Sequence, residues 1–177
     1  MTTLTLQAGD LFCIKCTANA LGYGQIIDIN PVSPVYVLVF EPLWEPDDRP
    51  SLEMICSSPV LLAANTFDAL VVNGSWPLIS QFEFHVNEVM VPRFKVYQDG
   101  RWLVEGFFGD VRHEVSSEQE RALPLRYVTS PMNLEDALKA RHGLLEWRPS
   151  FDEMLYSKIT KCGEPLSEAR RRAKGRR

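Results

Sequence analysis

The chain has 177 residues, 45% of them hydrophobic and 24% charged, enough to bury a core without a disulfide or metal staple. Its formal charge of -4 hides an asymmetry, because six of the 19 basic residues (Arg170, Arg171, Arg172, Lys174, Arg176, Arg177) fall in the last eight positions. The rest carries 13 basic and 23 acidic side chains, a net of -10, which repels nucleic acid and attracts basic surfaces over about a Debye length, roughly 8 Å at physiological salt.

The start, Met1-Thr2-Thr3-Leu4-Thr5-Leu6, has no basic residue, and no stretch approaches the roughly eighteen apolar residues that span a bilayer, so a cytoplasmic protein with no membrane partner is expected. Gly9-Asp10-Leu11-Phe12 opens a first apolar run and Gly22-Tyr23-Gly24-Gln25 a second. In the second, Ile27 and Ile29 share a face while Gln25 and Asp28 interrupt it, as in a strand with one face in water. Residues 35–40, Val-Tyr-Val-Leu-Val-Phe, lack alternation and read as a central strand covered on both sides. The three make an antiparallel meander.

Residues 41–50 hold three prolines and four carboxylates around Trp44 and must form an exposed loop. Residues 60–64 fit either a strand or a buried helical turn. Leu70-Val71-Val72, Asn73-Gly74 and Trp76-Pro77-Leu78-Ile79 read as a hairpin, and Arg93 to Tyr97, Asp99-Gly100 and Trp102 to Val104 as a second and clearer one. Each places a tryptophan two residues after the turn glycine, an echo that duplication and convergent turn chemistry explain equally well.

After Tyr127 the pattern becomes helical. Asn133 is placed to cap a helix over 134–142 that Gly143 stops, and Ser150 with Glu153 forms a capping box for a second helix ending near Gly163. The expectation is an α+β, β-rich fold: a strongly curved antiparallel sheet, possibly closing into a barrel-like form, with two short C-terminal helices packed on it. It occupies one domain over 1–163, followed by a flexible basic tail over 164–177.

Chemistry is sparse. Cys13 and Cys16 have C-x-x-C spacing, but in a strand residues three apart face opposite ways, and no second ligand pair follows; with Cys56 and Cys162 they read as free thiols. No metal or other cofactor is expected. His85, His113 and His142 adjoin no nucleophile motif, and His142 suits a helix C-terminus. Gly22-Tyr23-Gly24 opens a strand, so it offers no helix N-terminus to a phosphate. The basic tail has no interleaved aromatics, which argues against nucleic acid as a partner.

Gly9-Asp10-Leu11-Phe12, Tyr23-Gly24-Gln25, Val37-Leu38-Val39-Phe40, Trp76-Pro77-Leu78-Ile79 and the Trp102 hairpin, in that order, resemble the immunity protein 26 family of bacterial polymorphic toxin systems over about residues 7–127. The resemblance implies a non-catalytic cytoplasmic protein that neutralises a cognate toxin by protein–protein occlusion. It carries over no toxin-contact residue. Composition nominates a partner-binding surface independently: Trp44 ringed by Glu41, Glu45, Asp47 and Asp48, an aromatic anchor with a charged rim suited to a basic toxin such as a nuclease. The competing reading folds Trp44 back on the sheet as a lid. Rival functions are a hydrolase pairing Cys13 or Cys16 with His85 or His113, and a small nucleic-acid adaptor.

Overall fold

The structure is a computed structural model that describes residues 5–29, 35–81 and 89–175. In chain order come β1 (Asp10–Thr17), β2 (Ala20–Ile29), β3 (Val35–Phe40), α1 (Leu52–Cys56), β4 (Val60–Thr66), α2 (Ala69–Val72) and β5 (Leu78–Gln81). Then follow β6 (Met90–Val91), β7 (Phe94–Gln98), β8 (Arg101–Glu105), β9 (Val111–Glu114), α3 (Ser117–Ala122), β10 (Val128–Thr129) and α4 (Pro131–Arg141). The chain closes with a 3-10 turn (Pro149–Met154), α5 (Tyr156–Ile159), β11 (Glu164–Pro165) and α6 (Leu166–Lys174). It divides into two compact units, residues 1–84 with 128–156 and residues 85–127 with 157–177.

The first unit holds a six-stranded sheet in the order β10-β4-β3-β2-β1-β5, antiparallel except for the β10–β4 pair. Every residue of β3 is buried, as its unbroken apolar run predicts. Against one face lie Leu134, Ala137 and Leu138 of α4 with Phe151 and Met154 of the 3-10 turn, meeting Phe12, Ile14, Cys16, Ile26, Val37 and Val39. Trp76 joins this core, stacked on Phe12 at 5.0 Å, and its indole N–H donates to Glu135 Oε2 at 3.1 Å, so its single polar atom is satisfied in a buried site. Leu11, Tyr23 and Phe40 face the other way and pack with Ile55 of α1.

Two-sided cover explains the glycines of β2. A Cβ on Gly22 would stand 2.4 Å from a Leu138 methyl, and one on Gly24 would stand 2.4 Å from the Phe12 ring and 2.7 Å from the Leu38 carbonyl oxygen. They are glycines because side chains and a neighbouring strand's carbonyl approach them closely, not because the backbone turns there. The same cover overturns the half-solvated reading of β2. Gly22 through Ile27 are all buried, and Gln25 donates from Nε2 to the Gly9 carbonyl at 2.9 Å.

The α+β, β-rich class holds, but no sheet is closed or strongly curled, which corrects the expectation of a strongly curved, barrel-like sheet. The physical reason is the location of the apolar layers. They flank the six-stranded sheet on both faces, so its shifts at Leu11/Phe12, Lys15/Thr17, Ile26/Asp28 and Val39/Phe40 adjust register without wrapping the sheet round an interior. The later hairpin does not extend this sheet either; it forms a separate three-stranded one, β7-β8-β9.

Local corrections follow from tertiary context. The hairpin expected at Asn73-Gly74 has helix α2 in place of its first strand, which undoes the echo between Trp76 and Trp102. Helix α4 starts earlier than Asn133: Ser130 is the cap, its hydroxyl accepting from the Met132 N–H at 3.3 Å with Pro131 at the first turn. It stops where expected, with Gly143 at φ +72° and the Leu144 and Gly143 N–H groups returning to the Lys139 and Ala140 carbonyls, a Schellman ending. The second helix does not form as one piece. Leu155 is extended and bridges Leu62 of β4, separating the 3-10 turn from α5.

The second unit contains the β7–β8 hairpin, where Asp99 (φ 51°) and Gly100 (φ 83°) form the turn read from the sequence. Arg126 lies 4.2 Å over the Phe94 ring, donates to the Gly106 and Phe107 carbonyls at 2.8 Å each, and pairs with Glu105. Residues 164–174, read from composition as a flexible tail, form β11 against β6 and then α6. Their anchor is Glu164, which is 2% exposed and ion-paired with Arg172, with Arg93 at 3.7 Å.

Candidate partner-binding surface

The loop 41–50 lies in the first unit and touches both apolar layers, with Leu43 packed in the α4-side core and Trp44 in the cluster on the other face. Its base is pinned: Arg141 at the end of α4 donates to Glu41 Oε1 from Nε at 2.9 Å and from a terminal nitrogen at 2.6 Å, and His142 Nε2 donates to the Glu41 carbonyl at 2.7 Å. Glu41 is therefore a strut of the loop. Trp44 exchanges two backbone hydrogen bonds with Leu21, both 2.9 Å, so β2 gains a one-residue partner along its edge. Its ring meets Tyr23 edge to face at 5.2 Å and is half-buried with Leu11, Phe40 and Ile55 beneath.

Beyond Trp44 the chain reverses. The Glu45 N–H donates to Asp48 Oδ2 at 2.8 Å and the Asp48 N–H to the Glu45 carbonyl at 3.1 Å, a side-chain-closed turn that leaves Glu45, Asp47 and Asp48 exposed. Arg49 follows at φ 43°. Ser51 caps α1, whose Ile55 and Leu52 pack into the same cluster as Trp44 while Glu53 and Met54 are exposed. The result is an aromatic plate, Tyr23 with Trp44, beside a carboxylate row. Trp44 lies back on the sheet, as the lid reading expected, and the acidic turn follows it directly in the chain. Sequence reasoning missed α1, whose Ser51 cap was legible but whose five residues are too short to show helical periodicity.

The thiols near this surface are free and buried or half-buried. Cys13 and Cys16 face opposite sides of β1, the first beside Tyr23 and the second under α4. Burial pushes the Cys13 thiol up, and pushes Cys16 and Cys56 up to about 11, so neither a thiolate nucleophile nor a metal-ligating thiolate is favoured at neutral pH. Among the described residues no group of three or more His, Cys, Asp or Glu is arranged to hold a metal ion. His113 is exposed on β9, His142 is bound to the loop base, and His85 lies outside the described residues.

The model of one protein family, immunity protein 26, matches residues 7–101, more than half of the chain. The chain belongs to the immunity protein 26 family. No curated protein and no solved structure matches it. The matched segment runs from before β1 to the first residue of β8, so it includes the acidic loop, both β2 glycines and Trp76. Helix α4 and residues 157–177 lie outside it. Immunity proteins belong to toxin systems and are generally not enzymes. No helix among the described residues is long and apolar enough to cross a membrane.

Proposed function

We infer that this immunity protein 26 family member binds a cognate bacterial toxin and neutralises it by occlusion in the cytoplasm, with no catalytic step of its own. The observation that carries the reading is the aromatic plate beside the exposed carboxylates Glu45, Asp47 and Asp48, inside the segment that defines the family. Trp44 supplies apolar area at low conformational cost, Glu41 holds the loop base through Arg141, and the carboxylates select a cationic surface. A basic toxin, such as a nuclease with a phosphate-binding cleft, has that complement. The raised thiol pKa values weigh against the cysteine hydrolase.

The test is co-expression. The product of the neighbouring toxin gene should kill cells lacking this chain, spare those expressing it, and co-purify with it. Survival without complex formation would remove occlusion as the mechanism, and killing despite expression would remove the function.

A further inference from the structure

The acidic loop is tied to helix α4, which lies outside the matched segment 7–101. One tie is at Glu41, whose carboxylate accepts twice from Arg141 and whose carbonyl accepts from His142, the residue that caps α4 at its C-terminus. Glu41 is also the first residue after β3, so fixing it sets the angle at which the loop departs. Another tie is at Leu43. Its side chain converges with that of Leu138 over Gly22, where a Cβ would stand 2.4 Å from Leu138 and 3.4 Å from Leu43.

Trp44 follows directly and exchanges its two backbone hydrogen bonds with Leu21, the neighbour of Gly22. The missing side chain of Gly22 therefore lets α4 and the loop meet on β2 beside the bridge that seats Trp44. The exposed turn from Glu45 to Asp48 closes on itself and hangs from this seat. Without Arg141 and His142 the turn keeps its own bonds, but the loop loses the side-chain hold on its base.

We propose that the C-terminal end of α4, with Leu138, Arg141 and His142, is a positioning element for toxin recognition, holding the loop where Trp44 and the carboxylates meet the partner together. This rests on the reading of the loop as the toxin-binding surface. A loop released from α4 is competent for only part of the time, and apparent affinity falls by that fraction. Charge alone acts in the opposite sense. The unit that carries the loop has 14 acidic and 5 basic side chains, a net of -9 against +5 for the other unit. Removing a cation from it strengthens its pull on a basic toxin, so steering makes Arg141→Ala associate faster and positioning makes it associate more slowly.

Hydrogen exchange of the free, full chain tests the hold itself. In Arg141→Ala with His142→Ala, the amides of Leu21 and Trp44 should exchange at least about fivefold faster, while those of Val37 and Leu38 in β3 stay as they are. In surface plasmon resonance against the product of the neighbouring toxin gene, the same variant should associate at least about fivefold more slowly with little change in dissociation. Reversing the ion pair, Glu41→Arg with Arg141→Glu, keeps the net charge and should restore association. If circular dichroism shows the double variant unfolded, Arg141→Gln with His142→Gln serves in its place. Unchanged exchange at Leu21 and Trp44, association as fast as the parent's or faster, or a loss that the reversed pair does not restore would overturn the proposal. A parent chain that fails to bind the toxin removes the reading of the loop and the proposal with it; a parent and variants that bind alike remove the proposal alone.

Discussion

At the residue scale, Gly24 is hemmed in on two sides. Gly24→Ala places a methyl against the Phe12 ring and the Leu38 carbonyl, and the second contact is backbone that cannot swing away. Chemical denaturation should show a loss of about 2 kcal/mol or more, the usual cost of overpacking. Cys16 sets a pH limit. Its folded pKa of about 11 lies above the ordinary value of 9.0, so the unfolded chain ionises first as pH rises. Its contribution is fully present below about pH 9 and is lost on the way through about 11. Melting temperatures measured from pH 8 to 11 should fall, and Cys16→Ala, whatever it costs in packing, should flatten that fall.

At the scale of elements, the acidic loop and α6 each rest on one ionic anchor. Replacing Glu45, Asp47 and Asp48 by their amides should slow association with a basic toxin and change dissociation less, because exposed charges act mainly on encounter. Trp44→Ala should speed dissociation, with a loss of about 2 kcal/mol or more for a central anchor. Because Trp44 also packs on Tyr23, that variant loses stability too, and Trp44→Phe, which keeps the edge-to-face contact, separates the two effects. Surface plasmon resonance of the three variants would reject the loop as the interface if all bound like the parent. In α6, Arg172→Ala leaves Glu164 buried beside Arg93 alone and should cost about 3 kcal/mol in a denaturant titration, whereas Arg171→Ala should be near neutral.

Across the whole molecule, the two units carry opposite net charge, so no single salt response describes the chain. Association of the toxin with the acidic unit should slow as salt rises, visible in stopped-flow on-rates, with little change in the off-rate. A salt-independent on-rate would remove electrostatic steering and with it the inference that the toxin is basic. The overall charge of -4 conceals this division, because a sum over the chain carries no information about which side chains share a unit.

Local patterns were enough for what depends on near neighbours in the chain. The apolar run of β3, the Asp99-Gly100 turn, the Gly143 helix stop, the opposite facing of Cys13 and Cys16, and the order of motifs that marks the family all follow from the sequence. Long-range contact decided the rest. The glycines of β2 answer to Phe12 and Leu138, the 150–163 segment breaks where Leu155 reaches β4, Glu41 is a strut because Arg141 comes to it, and residues 164–174 form β11 and α6 with Arg172 neutralising a carboxylate buried in their unit. Periodicity reports which face of an element is apolar. It cannot report how many layers cover that element, and two-sided cover made this sheet an open layer and not a barrel.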